Sequence, residues 1–108
     1  MLDERLEPGK GQLMMDANQR WDVNEAIDYM THLAEFKPRW IEEPTCPDDI
    51  LGHRRIRDAL KPMNIGIATG EVCANRVMFK QFLQHEAMDF CQIDSTRVCG
   101  VGENLLIM

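Results

Sequence analysis

Four acidic residues each close a short, mainly apolar run of this chain. The runs are QLMMD (12–16), RWIEE (39–43), IGIATGE (65–71) and MDFCQID (88–94), and the closing acids are Asp16, Glu42, Glu71 and Asp94. Carboxylates that converge in a fold repel one another unless they are protonated or bridged by a cation. An all-oxygen ligand set suits a hard cation such as Mg²⁺ better than zinc. One acid of this kind would be a helix cap or a solvated loop residue. Four acids that each end an apolar run predict a metal site.

The second run ends in two adjacent acids, Glu42 and Glu43. Successive side chains of a strand point to opposite faces, so only one of this pair can face the site. The other needs a hydrogen-bonding partner among the helices or in a loop. The residues by themselves leave open which acid takes which role.

The elements that must position these acids alternate along the chain. Each run is too short for a helix and reads as a strand buried on both faces of a parallel sheet. Helical patterns separate the runs: residues 24–36 with Asp22 or Asn24 as N-cap, and a less regular helix over 48–60. A third covers 74–85, and a last one starts near Glu103. The third helix is predicted to bury Ala74, Val77, Met78 and Phe82 on one side.

The order β-α-β-α-β-α-β-(α) predicts parallel strands joined by crossover helices. A doubly wound sheet and a barrel both fit this order. No GxGxxG follows the first strand and no GxxxxGK[ST] occurs, which disfavours a nucleotide-binding sheet. We therefore predict a partial (β/α)8 TIM barrel of about four βα units. In such a barrel the carboxyl ends of the strands share one face, so the four acids would converge there.

Composition excludes several classes of function. The 108 residues correspond to one small domain, and a net charge of −6 disfavours a nucleic-acid partner. No apolar run approaches the roughly 20 residues that a membrane span requires, and neither a secretory signal nor a transit peptide is visible. The four cysteines form no CxxC pair, so we expect reduced thiols in an intracellular protein. The histidines are expected on the outer helices in structural roles: His32, His53 and His85.

The segments MMDANQRWD, WIEEP, GIATGE and QIDSTRV resemble the enolase superfamily, in its mandelate racemase-like branch. Longer stretches, including WIEEPTCPDDILGH and NRVMFKQFLQ, are most similar to L-fuconate dehydratases and to an animal member of the superfamily. The resemblance runs from about Gln12 to Met108, and the animal members of the superfamily suggest a location in mitochondria or the cytosol. It implies Mg²⁺-dependent dehydration of a sugar acid through an enediolate, a hydro-lyase reaction.

The resemblance also implies roles for individual residues. Asp16, Glu42 and Glu71 would bind one Mg²⁺, with Glu42 rather than Glu43 as the ligand, because relatives carry EQP at this place. Asn18 would contact the substrate or lie near the metal. Asp94 would orient a catalytic histidine of the following strand.

By the same resemblance, this chain is an internal fragment of the C-terminal barrel domain, over residues 1–108, without the N-terminal capping domain. The general-base lysine and the catalytic histidine would lie outside it, and Lys10 is not accepted as a substitute. The fragment alone is therefore expected to be inactive. The partners expected for the full-length form are a small sugar acid and further copies in a homo-oligomer, with no membrane and no nucleic acid. A racemase or epimerase of the same superfamily, or a short inactive binding or regulatory protein, is the alternative.

Overall fold

The structure is a computed structural model that describes residues 11–108, so Lys10 lies outside the described residues. Strands and helices alternate along the chain, and two short 3-10 turns, Ala34–Phe36 and Lys61–Met63, follow the first two helices. The strands are β1 (Met14–Asp16), β2 (Trp40–Glu42), β3 (Gly66–Thr69) and β4 (Phe90–Cys91). The helices are α1 (Val23–Leu33), α2 (Ile50–Leu60), α3 (Arg76–Gln84) and α4 (Val101–Ile107).

The four strands form one parallel sheet in the order β1-β2-β3-β4. Each strand falls inside one of the four apolar runs, so the predicted α/β alternation is confirmed. Met15, Ile41 and Ile67 are register partners across β1, β2 and β3. Since side chains alternate along a strand, these three residues share one face of the sheet, and their neighbours share the other.

The face that carries Ile41 and Ile67 packs against α1 and α2. Both isoleucines are fully buried in one cluster with residues of the two helices: Ala26, Met30, Ile56 and Leu60. On the opposite face Met14 is 46% exposed. Ala68 of β3 pairs with Glu42 and so lies on the same face as Met14, and it is fully buried. The expectation of strands buried on both faces is therefore confirmed for β3 and wrong at Met14 of β1.

Helix α1 begins at a capping box. The Asp22 carboxylate accepts from the amide of Glu25 at 2.9 Å, and the Glu25 carboxylate accepts from the amide of Asp22 at 3.0 Å. This arrangement satisfies two amides that the first turn of a helix leaves free. Asp22 is therefore the N-cap, one of the two candidates from the sequence.

No helix within residues 11–108 has the length and apolarity that a membrane crossing requires.

Helix α3 buries only part of the predicted face: Phe82 is fully buried and Met78 is half-buried, as expected. Its N-cap is Asn75, whose side chain accepts from the amides of Val77 and Met78, so Ala74 precedes the helix and is exposed. Phe79 and Phe82 are the buried residues of α3, while Val77 is 57% exposed. The prediction for Ala74 and Val77 was wrong because the two phenylalanines, the largest apolar groups of this segment, determine which face packs.

Candidate metal centre

Asp16 and Glu42 are register partners at the carboxyl ends of β1 and β2. They lie on the face of the sheet opposite Ile41, because each follows a helix-facing residue by one position. Glu42 is half-buried and Asp16 is exposed. The structure thus brings these two predicted site residues side by side on the sheet face that α1 and α2 leave uncovered.

Glu71 follows β3 by two residues, and Gly70 determines the course of the turn between them. The φ angle of Gly70 is +129°, a conformation that side chains rarely permit. A Cβ at this position would lie 2.6 Å from the carbonyl oxygen of Gln92 and 2.7 Å from the ring of Phe79. Glycine is required here, and it places the exposed Glu71 at the same edge of the sheet as the ends of β1 and β2.

Glu43 connects the ends of three strands. Its amide donates to the Ala68 carbonyl of β3 at 3.0 Å, and its own carbonyl accepts from the Gln19 amide at 2.8 Å. One carboxylate oxygen, Oε2, accepts from Gln19 Nε2 at 2.9 Å. The residue is only 2% exposed, and its φ angle of +42° departs from strand geometry. Glu43 is therefore the acid of the pair that is held inside the protein by a partner in a loop.

The other acids at this edge of the sheet affect the ionisation of Glu43. Burial raises the pKa of the Glu43 carboxyl above its ordinary value, and the hydrogen bond from Gln19 opposes this increase. The negative charges of Glu71, Asp16 and Glu42 raise the same pKa further. All three predicted ligands thus act electrostatically on one buried carboxyl. This concentration of negative charge is what a divalent cation would neutralise.

Asn18 and Asp94 occupy the turns that follow β1 and β4. The Asn18 amide donates to Asp16 Oδ1 at 2.8 Å, and the Asn18 backbone is left-handed, with φ of +47°. Asp94 Oδ1 accepts from both the hydroxyl and the amide of Thr96, at 2.6 and 2.9 Å. These bonds from Thr96 hold the pKa of Asp94 below its usual value. Asp94 is therefore ionised at neutral pH and fixed in orientation.

The predicted ligands fit a hard cation in chemistry and in place, although their side chains are not drawn together. Within the described residues, no group of three or more His, Cys, Asp or Glu side chains is close enough to hold a metal ion. Asp16, Glu42 and Glu71 nevertheless supply only oxygen donors, lie at one edge of the sheet and have at least partly exposed side chains. These three residues supply the oxygen donors that Mg²⁺ prefers, and they are the residues that would hold it.

Gln19 is the contributor that the sequence did not reveal. Its partner Glu43 is 24 positions away, and no short motif relates the two residues. The requirement for a partner was predictable, since one acid of the EE pair had to be turned from the site and still hydrogen-bonded. The identity of that partner depends on the turn after β1, which only the structure describes.

Comparison with known proteins gives a consistent family. Residues 1–108 match the model of a family described as "Enolase C-terminal domain-like". The chain is 64% identical to L-galactonate dehydratase of Hypocrea jecorina in an alignment of 96 residues. That alignment covers 89% of this chain and 21% of that protein. The crystal structure of human mitochondrial enolase superfamily member 1 superposes with a TM-score of 0.88 at 64% identity. That superposition covers 91% of this chain and 22% of the human chain.

A more distant structure contains a metal. L-Talarate dehydratase from Polaromonas sp. JS666, complexed with Mg and L-glucarate, has a TM-score of 0.82 at 32% identity, over 92% of this chain and 26% of that one. The chain spans about a fifth of the length of the curated relatives that it matches.

Proposed function

This chain belongs to the enolase C-terminal domain-like family, and on that basis we propose that it is part of a Mg²⁺-dependent sugar-acid dehydratase. Asp16, Glu42 and Glu71 are its metal ligands in this proposal. The observation that carries it is the register pairing of Asp16 with Glu42 at the edge where Glu71 also emerges. When bound, Mg²⁺ supplies positive charge beside the substrate carboxylate, so that the proton α to that carboxylate is easier to remove.

The remaining residues of the edge have roles in binding and orientation. The Asn18 side chain is exposed beside Asp16, where its amide can donate to a substrate oxygen. Asp94, held by Thr96 and ionised, is suited to accept a hydrogen bond from a histidine ring and keep that ring in one tautomer. We place that histidine and the general-base lysine in parts of the enzyme outside this chain.

We propose L-fuconate as the substrate of the complete enzyme. L-Fuconate is 6-deoxy-L-galactonate, so it carries the same carboxylate and the same hydroxyls around the reacting carbons as the substrate named for the Hypocrea relative. Loss of the α proton and of the β-hydroxyl, which departs as water, gives a 2-keto-3-deoxy acid. The Polaromonas relative is crystallised with L-glucarate, another sugar acid, which supports this class of ligand.

We further propose that residues 1–108 are one part of the barrel domain of a longer, homo-oligomeric protein that also has an N-terminal capping domain. Location in mitochondria or the cytosol and inactivity of the 108 residues alone belong to the same proposal. Sedimentation of the native protein tests its length and oligomeric state, and cell fractionation tests its location. An assay of the isolated 108 residues tests their inactivity.

The proposed activity can be tested in a chimera, in which residues 11–108 replace the matching segment of the Hypocrea L-galactonate dehydratase. The host supplies every other part of an active enzyme, so the experiment asks whether this segment supports the reaction. We expect formation of 2-keto-3-deoxy acids from L-galactonate and L-fuconate. EDTA should abolish this activity, and added Mg²⁺ should restore it. A folded chimera that acts on neither sugar acid, or that is indifferent to EDTA, would contradict the proposal.

A further inference from the structure

We propose that Gln19 is a positioning residue for cation binding, acting through Glu43 on the ligands Asp16 and Glu42. This inference rests on the proposed function of those two acids. Gln19 makes two bonds to Glu43: its amide donates to the Glu43 carbonyl at 2.8 Å, and its Nε2 donates to Glu43 Oε2 at 2.9 Å. A pair of bonds between the same two residues fixes their orientation as well as their separation.

The turn between Asp16 and Gln19 is bonded at every residue. The Ala17 amide donates to the Glu42 carbonyl at 3.0 Å, and the Asn18 amide donates to Asp16 Oδ1 at 2.8 Å. Together with Gln19, these bonds tie the turn that follows one ligand to the residues at and after the other. The distance between Asp16 and Glu42 is therefore determined by this network as well as by the pairing of β1 with β2.

Backbone conformation makes the network dependent on its side-chain bond. Gln19 and Glu43 both have left-handed backbones, with φ of +63° and +42°. Such conformations are costly for residues other than glycine and persist where surrounding bonds hold them. The bond between the two side chains supplements the backbone bonds at both of these positions.

Glu43 has little else to hold its carboxylate. The residue is 2% exposed, and its Oε1 has no hydrogen-bond partner among residues 11–108. Without the side-chain amide of Gln19, neither carboxylate oxygen of the buried Glu43 would have a hydrogen-bond donor among residues 11–108. Leaving a buried carboxylate without a donor costs more free energy than the hydrogen bond contributes to stability. Glu43 would then move toward water, and Glu42, the preceding residue, would move with it.

Gln19 itself is exposed, so its side chain can be replaced without opening the core. Methionine has the same length and lacks the amide. We would titrate Mn²⁺, a paramagnetic probe for Mg²⁺ sites, into the metal-free chimera described above and measure Kd by electron paramagnetic resonance. Residues that orient metal ligands typically affect metal affinity about 10- to 100-fold, and we expect Gln19→Met to raise the Kd by this factor. Arg20→Lys, at the adjacent exposed position, should leave Kd unchanged.

Several outcomes separate this inference from the proposal beneath it. If the chimera binds Mn²⁺ and Glu42→Gln weakens binding but a folded Gln19→Met variant does not, Gln19 has no positioning role, even if the melting temperature of that variant falls. If the unaltered chimera does not bind Mn²⁺, or its Glu42→Gln variant binds equally well, the metal site itself is refuted and the role of Gln19 with it. Should Gln19→Met lose its circular dichroism spectrum, Gln19→Asn, which holds the amide on a shorter side chain, is judged by the same Kd criterion.

Discussion

The rings of Trp40 and Phe90 lie 4.7 Å apart between centroids, across the intervening strand β3. Gly66 of β3 permits this contact, since a Cβ there would lie 2.8 Å from Phe90 Cε2. The Arg39 guanidinium lies 5.8 Å from the Trp40 ring and 5.4 Å from the Phe90 ring. Trp40 begins β2 and Glu42 ends it, so this aromatic pair lies toward the end of the strand opposite the carboxylates.

Gly66→Ala should therefore destabilise the chain. The added methyl group displaces the Phe90 ring from Trp40, and overpacking of this kind reduces the free energy of unfolding by about 1–3 kcal/mol. Urea denaturation followed by tryptophan fluorescence, at one fixed protein concentration, measures the change. Gly102→Ala is the matched control, because a Cβ there meets nothing within 4 Å and alanine favours a helix. Equal effects at both positions would contradict the steric explanation.

Glu42 and Glu43 should contribute differently to the dehydration activity of the chimera. Glu42→Gln removes a proposed anionic ligand and should reduce Mg²⁺-dependent dehydration to background. Glu43→Gln is isosteric and can still accept from Gln19 through its amide oxygen, so a measurable part of the activity should remain. Initial rates over a range of Mg²⁺ concentrations distinguish the two variants. Equal loss in both would refute the division of roles within the pair.

The capping box of α1 gives a prediction about stability. Asp22→Ala removes the side chain that caps this helix and should lower the free energy of unfolding by about 0.5–2 kcal/mol. Asn24→Ala, at the other candidate cap position, removes only an exposed hydrogen bond from Arg55 and should cost less. Urea denaturation ranks the two variants, and a larger loss for Asn24→Ala would count against Asp22 as the cap.

His53 should make the chain less stable in acid. The residue is fully buried in α2, with its Nδ1 2.8 Å from the Asp49 carbonyl oxygen and its ring edge-on to Phe82. Burial lowers the pKa of His53 below its ordinary value of 6.5, although the backbone and charge of Asp49 oppose this. The unfolded chain therefore binds this proton at a higher pH than the folded chain does. The contribution of His53 to the free energy of unfolding should accordingly decline as pH falls below about 6.5.

Urea denaturation between pH 8 and pH 5 tests the role of His53. His53→Gln should lose this part of the pH dependence, whatever its stability at pH 8. His32→Gln should retain it, because His32 is exposed. The same pH dependence in His53→Gln as in the parent chain would exclude His53 as its source.

The cysteines should differ in reactivity. Burial raises the pKa of the Cys73 thiol to about 11, with smaller contributions from Cys91 and nearby acids. At pH 8 its reactive thiolate is then roughly a thousandth of the total. Cys46 and Cys99 are exposed, and iodoacetamide should label them in the native chain while Cys73 reacts only after addition of urea. Peptide mass spectrometry measures the labelling, and rapid modification of native Cys73 would contradict its burial.

Local patterns predicted the elements well because each βα unit carries its own signals. Ala26 and Met30 are apolar residues at helical spacing within the segment predicted as the first helix, and both are fully buried. Partners distant in sequence were not predictable. Asp48, Asp49 and Asp58 are the acids nearest in sequence to the basic segment 53–57. In the structure Arg54 pairs with Asp58 and Glu86, and Arg57 pairs with Asp89.

The candidate site was predictable in its acids and not in their support. Asp16 and Glu42 could be related through strand periodicity, because one position is equivalent in each βα unit. The left-handed backbones at Gln19 and Glu43 have no counterpart in composition or spacing, since neither is a glycine or part of a recognised turn sequence. These conformations arise from hydrogen bonds between separate loops and become evident only when both loops are placed.

The sheet order β1-β2-β3-β4 has a consequence for how this chain reaches its fold. Each strand pairs with its nearest neighbour in sequence, so every pairing closes a loop of one βα unit and none requires threading past an earlier one. Contacts between sequence neighbours limit the entropy lost before each pairing is rewarded, which favours rapid assembly. The parallel pairing of two strands that are neighbours in sequence occurs three times. Gain or loss of a whole βα unit at either end would therefore leave the remaining strand pairings intact. Duplication of such units can thus enlarge the sheet without rearranging it.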